Sequence, residues 1–148
     1  KFIFLGDGAR REELTQRAER KGLSNVSFLG FQPEERFRSI LSSADACLVT
    51  LQPGMDRLSA PSRAYTFLSA GQPLIAMMSP DAELAQMMSE TDVGWNVLDG
   101  HELAKLARFL KRDTLEIEKR GLNARALYNE RFTKSRVSQK YIDLLSGS

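Results

Sequence analysis

The fold is indicated most clearly by residues 61–76, which read PSRAYTFLSAGQPLIA. This segment predicts a loop that leads into a short helix over residues 61–70. Gly71 follows the helix at the position where a left-handed closing residue is expected. The apolar residues 74–77 then predict a buried strand, so the segment describes one loop-helix-strand unit of an α/β fold.

The start of this predicted helix has the character of an anion site. Pro61 is tolerated in a first turn because its missing N–H would have no partner there, and Ser59 or Ser62 can cap the amides that follow. Free amides and the positive end of the helix dipole favour an anionic group such as a diphosphate. Arg63 adds a guanidinium that can donate two parallel hydrogen bonds to phosphate oxygens.

Apolar runs of strand length alternate with amphipathic helical stretches along most of the chain, which predicts a parallel sheet covered by helices. The predicted strands cover residues 2–5, 26–29, 46–51, 74–77 and 95–97. The predicted helices cover residues 10–21, 33–43, 61–70, 81–90, 99–112, 115–129 and 133–145. The strands are mostly continuously apolar, which predicts burial on both faces. We therefore expect a Rossmann-like α/β fold, with about five parallel strands, helices on both faces and extra C-terminal helices.

Composition indicates an ordinary globular domain. The chain has 148 residues, of which 42% are hydrophobic and 27% charged, and its length suits one domain. No apolar run approaches the roughly 20 residues of a membrane span, and the short N-terminal apolar stretch does not predict a signal peptide. The single cysteine, Cys47, excludes an internal disulfide and is typical of a cytoplasmic protein.

Charge is distributed unevenly along the chain. Residues 103–148 contain 11 Lys and Arg against 5 Asp and Glu, whereas residues 1–102 contain 10 against 14. Solvated helix faces explain this distribution most simply. Contact of the basic region with an anionic membrane surface is the alternative, whereas no recognition helix or basic strand interleaved with aromatic residues indicates nucleic acid.

Residues 61–76 resemble a motif of the C-terminal domains of group 1 glycosyltransferases, also called family 4: Pro-Ser-Lys/Arg, then Tyr, then Ala-Gly-x-Pro and an apolar run. Other segments occur in the order that the family has. They are FIFLGDG at residues 2–8, NVSFLG at residues 25–30, SADACLV at residues 43–49, DAELA at residues 81–85 and VGWNV at residues 93–97.

The resemblance implies a retaining enzyme of the two-domain GT-B architecture. It makes residues 1–148 a partial C-terminal domain that binds a nucleoside-diphosphate sugar, without the N-terminal acceptor domain, and we expect this part alone to be inactive. The enzyme would move a hexose onto a saccharide or lipid-linked acceptor for surface polysaccharide, in the cytoplasm or at the inner face of the membrane. The donor would be a substrate, with no cofactor or metal ion required.

Loops after the predicted strands carry the expected donor contacts, because ligands of such sheets collect at the carboxyl ends of the strands. The expected contact residues are Gly6, Gly8, Phe31, Gln32, Ser59, Ala60, Pro61, Ser62, Arg63, Thr66 and Glu83. Gly6 and Gly8 also suit a simple tight turn, since the third glycine of a dinucleotide fingerprint is absent. Phe31 suits either base stacking or a role as a hydrophobic staple or core residue at the helix entry. Glu83 suits either the donor site or the helix dipole.

One departure from the family concerns a pair of glutamates that most members carry. The corresponding positions here are Leu58 and Thr66, so neither is a carboxylate. Thr66 still offers a hydroxyl to a ribose. The catalytic residues therefore stay unassigned, and two alternatives remain open: a non-catalytic partner with the same fold, and a sugar-nucleotide epimerase of the same architecture.

Overall fold

The computed structural model describes residues 1–51 and 61–147. Strands and helices alternate up to the fifth strand, and three helices follow it. The elements are β1 (Phe2–Leu5), α1 (Arg11–Arg20), β2 (Val26–Leu29), α2 (Glu34–Ser42), β3 (Cys47–Thr50), α3 (Ser62–Ser69), β4 (Leu74–Met77), α4 (Glu83–Thr91), β5 (Gly94–Val97), α5 (Gly100–Leu110), α6 (Thr114–Arg131) and α7 (Lys134–Ser146). The predicted order is confirmed, and most helices begin one or two residues later than predicted because the residue before each start is extended or caps it.

The strands belong to two parallel sheets, one in each of two compact units, residues 1–40 and 41–148. In the first unit β1 pairs with β2, α1 packs on β2, and the rings of Phe4 and Phe28 stack with centroids 5.1 Å apart. Burial on both faces is a wrong prediction for β1, where Ile3 and Phe4 are 47% and 45% exposed. The faces of a strand are buried by helices packed on the sheet, and in this unit α1 packs on β2.

The second unit contains a sheet in the order β3-β4-β5. The central strand β4 is buried from Leu74 to Ala76, as predicted for a strand covered on both faces. Gly94, the first residue of β5, pairs with Leu74, and a Cβ at Gly94 would lie 2.0 Å from the Leu74 carbonyl oxygen. Only glycine permits this approach, which brings β5 against the core.

Helix α3 is held against the rest of the second unit by its buried face. Ala64 and Leu68, one helical turn apart, are both completely buried. The ring of Tyr65 packs edge-on against Phe132, which follows α6, with centroids 4.8 Å apart. The opposite face of α3 is thereby fixed toward solvent.

The C-terminal end of α3 closes at Gly71, as predicted. Gly71 has a φ of +75°, and its amide donates to the Leu68 carbonyl while the Gln72 amide donates to the Phe67 carbonyl, 2.9 and 3.1 Å away. This is the Schellman arrangement, which favours glycine because the left-handed conformation strains other residues. Helix α6 passes so close that a Cβ at Gly121 would lie 2.8 Å from the Gly71 carbonyl oxygen.

Among the helices of residues 1–51 and 61–147, none combines the length and the hydropathy that a bilayer crossing requires.

Candidate functional site

Three parallel strands of the second unit end side by side. Thr50 of β3 is paired with Met77 of β4, and Met77 is paired with Val97 of β5. The chain segments that follow these residues therefore leave the same edge of the sheet. This edge is where ligands of doubly wound sheets bind, and two of the predicted donor-binding segments begin there.

The start of α3 is exposed, and no side chain of the described residues caps it. Pro61 is extended and precedes the helix, and Ser62 and Arg63 form its exposed first residues. The predicted cap by Ser62 is wrong, because the hydroxyl of a residue already inside the helix does not reach back to the first amides. The Ala64 amide donates to the Pro61 carbonyl over 2.9 Å. The amides of Ser62 and Arg63 consequently face solvent without a partner among the described residues.

Arg63 makes no hydrogen bond or ion pair with any described residue. Thr66 lies one turn further along α3, on the same exposed face as Ser62 and Arg63, and its hydroxyl likewise has no described partner. The structure thus brings three of the predicted residues onto one face. Ser59 and Ala60, and Leu58 of the missing glutamate pair, lie outside the described residues.

The β4–α4 connection forms a tight turn that ends in Glu83. The Ala82 amide donates to the Ser79 carbonyl over 3.0 Å, and Pro80 stands at the second position of the turn, which suits its fixed φ. Ala82 is extended and buried, with 1% of its surface exposed. Glu83 follows as the exposed first residue of α4, so its carboxylate lies at the positive end of that helix.

Side-chain caps distinguish the later helices from α3 and α4. The first amides of α5, α6 and α7 donate to the side chains of Asp99, Asp113 and Thr133. The starts of α3 and α4 have no such hydrogen bond. Their first amides therefore keep their capacity to bind an anion.

In the first unit, Gly6 and Gly8 form a tight turn into α1. Gly6 has a φ of +109° and its amide donates to the Leu29 carbonyl over 2.9 Å. Arg11, which occupies the place of a third glycine, donates to the Asp7 carboxylate over 2.8 Å. A Cβ at Gly6 or Gly8 would meet no described atom within 4 Å, so the space beside both residues is open. The turn is confirmed, and a ligand contact there stays a prediction.

Phe31 and Gln32 follow β2. Phe31 is 85% exposed, which makes the interpretation as a core residue wrong and leaves a free aromatic ring at this loop. Gln32 is half-buried, and its side-chain amide donates to the Gly30 carbonyl over 3.0 Å. That hydrogen bond orders the loop and leaves the Gln32 amide oxygen without a described partner.

A cavity of about 270 Å³ lies elsewhere in the second unit, among residues of α4, β5 and α6. It is lined by none of the predicted residues. Asp92, in the turn before β5, forms ion pairs with Lys119 over 2.8 Å and with Arg120 over 2.5 Å. The hydrogen bond from Lys119 is the main reason that the pKa of Asp92 is lowered. Arg120 also lies 4.7 Å from the ring centroid of Trp95. These contacts fasten α6 to the start of β5, a structural role.

Two curated relatives match this chain in sequence, whereas no protein-family model matches it. The chain is 34% identical over 109 residues to WbjE of Pseudomonas aeruginosa, which is named as a glycosyltransferase. The aligned region covers 74% of the chain and 27% of WbjE. It is 25% identical over 146 residues to WcaI of Escherichia coli strain K12, named as a colanic acid biosynthesis glycosyl transferase, over 99% of the chain and 36% of WcaI.

The fold is similar to that of HepE from Anabaena, whose crystal structures contain UDP-glucose and UDP. The TM-scores are 0.73 and 0.76, at 26% identity, over 99% of this chain and 40% of HepE. Both curated relatives are named as glycosyltransferases and HepE has the same fold, which agrees with the resemblance of this chain to a C-terminal domain of group 1 glycosyltransferases. The resemblance of residues 61–76 and the parallel α/β fold are thus confirmed. The chain spans about a third of the length of these curated glycosyltransferases, 27% and 36%.

Sequence reasoning missed Asn96. Its side-chain amide donates to the Met78 carbonyl over 3.1 Å, which ties β5 to the first residue after β4. The available signal was a polar residue inside the short apolar strand GWNV. The partner, a backbone carbonyl 18 residues away, is visible only in the fold.

Proposed function

We propose that this chain forms the nucleotide-sugar binding part of a retaining glycosyltransferase. The enzyme moves a sugar from a nucleoside-diphosphate sugar to a saccharide or lipid-linked acceptor in surface polysaccharide biosynthesis, with the acceptor bound by an N-terminal domain. One observation carries the proposal: the exposed start of α3 at the carboxyl edge of the sheet, where the first amides and Arg63 have no side-chain partner among residues 1–51 and 61–147. The named activities of WbjE and WcaI support it.

The chemistry follows from where charge develops during transfer. As the glycosidic bond to the donor phosphate breaks, negative charge accumulates on the leaving diphosphate. Amides at the start of α3 and the Arg63 guanidinium are aimed at that charge, and such preorganised donors lower the barrier more than they stabilise the bound substrate. Thr66, on the same face, offers a hydroxyl that can donate to a ribose hydroxyl.

Uridine diphosphate is the first nucleotide to test, because HepE was crystallised with UDP-glucose and UDP. We expect calorimetric titration of the full-length protein to detect UDP binding, and GDP, ADP and TDP titrated in parallel identify the base. Transfer from the corresponding nucleotide-sugar to an acceptor then tests the reaction. No binding of any of these nucleotides by a folded protein would refute the proposal.

The proposed mechanism requires no metal ion. Transfer in the presence of EDTA is therefore expected to proceed at an unchanged rate. A rate that falls with EDTA and returns with added magnesium or manganese would contradict this part of the proposal.

A non-catalytic partner of the same fold is the second candidate, and the absence of a carboxylate at Thr66 favours it. Binding of UDP without transfer to any acceptor would support this candidate. An epimerase of the same architecture would convert the nucleotide-sugar without an acceptor, so product analysis of the same reaction distinguishes all three.

Peripheral contact with the inner face of the cytoplasmic membrane is a further part of the proposal. Helix α7 has no buried residue, and Tyr141, Leu144 and Leu145 on it are 64%, 77% and 85% exposed. The basic charge of residues 103–148 complements anionic lipid. We expect sedimentation with vesicles of phosphatidylglycerol and phosphatidylcholine, reduced by Leu145→Glu, and little with phosphatidylcholine alone. Equal sedimentation with both vesicles, or with neither, would contradict it.

A further inference from the structure

The side chain of Asn96 joins two strands at the edge of the sheet where the donor site is proposed. Asn96 lies on β5 opposite Ala76 of β4, yet its Nδ2 donates to the carbonyl of Met78, beyond the last residue of β4. The hydrogen bond is 3.1 Å long and half-buried. It therefore fixes the backbone at the point where the chain leaves the sheet.

Little freedom remains between Met78 and the start of α4. Residues 79–82 form the turn closed by the bond from the Ala82 amide to the Ser79 carbonyl. Pro80 restricts φ within the turn, and Ala82 is buried where the turn meets the helix. A displacement of the Met78 carbonyl would consequently be passed on to Glu83 and to the first amides of α4.

Packing of β5 alone does not explain an asparagine at this position. The flanking residue Val97 belongs to a hydrophobic core with Ile75 and Leu110. Asn96 Oδ1 is buried and accepts no hydrogen bond from the described residues. A buried acceptor without a donor destabilises a fold, and an apolar side chain of the same shape would avoid that cost. An asparagine provides what an apolar side chain would not, the hydrogen bond to the Met78 carbonyl.

We propose that Asn96 is a positioning residue for donor binding, which holds the β4–α4 connection so that the start of α4 and Glu83 face the nucleotide-sugar. This inference rests on the proposed function of the chain. Asn96 does not itself touch the donor; it acts through the Met78 carbonyl.

The test compares two asparagines with matched hydrogen bonds. Asn123 of α6 donates its Nδ2 to the Asp92 carbonyl over 3.0 Å, also half-buried, but in the turn that precedes β5. Asn96→Leu and Asn123→Leu each remove one such bond and keep the side-chain shape. UDP affinity is measured by calorimetry, and stability by urea unfolding, on the full-length protein. Asn96→Ser is made in parallel, because the shorter serine side chain, beside the cavity that Asn96 lines, does not crowd its neighbours.

We expect Asn96→Leu and Asn96→Ser to weaken UDP binding about fivefold, the effect of one ordinary hydrogen bond, and Asn123→Leu to leave UDP binding unchanged whatever its effect on stability. Asn96→His is expected to keep the affinity of the wild type, since its Nδ1–H can replace Nδ2 as the donor to the Met78 carbonyl. Unchanged affinity in both Asn96 variants, or equal weakening by Asn123→Leu, would overturn the inference. Failure of the wild-type protein to bind UDP or the other nucleotides would instead overturn the proposed function, and the inference with it.

Discussion

Removal of the Arg63 guanidinium tests the proposed diphosphate site most directly. Arg63 is exposed and makes no hydrogen bond or ion pair with the described residues, so Arg63→Ala deletes a charge without breaking a described contact. Substitutions of exposed residues of this kind usually change the free energy of unfolding by less than about 0.5 kcal/mol. A loss of nucleotide affinity can therefore be assigned to the ligand and not to the fold.

The expected magnitude lies between two limits. A hydrogen bond to a charged group contributes roughly 1.5–3 kcal/mol when it is shielded from water. A fully exposed ion pair contributes only about 0.2–1 kcal/mol. Arg63 lies at the surface beside amides that share the same anion, which places the loss at about 1.5 kcal/mol, or about tenfold in the dissociation constant of UDP.

Calorimetric titration of Arg63→Ala, Arg63→Lys and the wild type with UDP and with uridine measures this effect. Lysine keeps the charge but not the paired donors, so we expect an intermediate affinity for UDP and no change for uridine. Arg108→Ala is the matched control, because Arg108 is also exposed without a described partner and lies about 12 Å along α5 from its start. Equal UDP affinity of Arg63→Ala and the wild type, or an equal loss for uridine, would refute the reasoning.

Further predictions concern stability and reactivity. Gly94→Ala places a Cβ 2.0 Å from a backbone oxygen of β4 and is expected to lower the free energy of unfolding in urea by at least about 3 kcal/mol. Gly100→Ala is the control and is expected to be tolerated, because its Cβ would meet no described atom within 4 Å. Similar midpoints for both variants would contradict the tight packing of β5. The hydrogen bond from Lys119 lowers the pKa of Asp92 below its ordinary value of 3.8, so the pair stabilises the fold above that pH and the contribution is lost as the pH falls through the lower folded-state pKa. Asp92→Asn should flatten the acid side of the profile of unfolding midpoint against pH, and an unchanged profile would exclude the contribution. Burial raises the pKa of the Cys47 thiol to about 12, so a disulfide reagent at neutral pH should modify Cys47 only after unfolding, and fast modification of the native protein would contradict its burial.

Local signals in the sequence predicted the order of the elements and several of their ends. Gly71 closes α3 because the geometry of a helix end is decided within a few residues. The exposed face of α3 could be placed in the same way, since Arg63 and Thr66 lie opposite the apolar Ala64 and Leu68. The wrong predictions concern which residues are buried by neighbouring elements. The apolar strand β1 is partly exposed, and Phe31 lies outside the core. The hydrophobicity of a residue indicates that it tends to be buried, but it does not indicate whether another element packs over it.

The sequence by itself determined the parallel α/β class, the resemblance to glycosyltransferases and the segment that begins α3, because periodicity, glycine positions and a contiguous motif are properties of neighbouring residues. Only the tertiary structure decided that the strands form two sheets, that β3, β4 and β5 end at one edge, and that Asn96 holds the carbonyl of Met78. Strand register and hydrogen bonds between distant residues depend on how whole elements pack, and no local pattern specifies that packing.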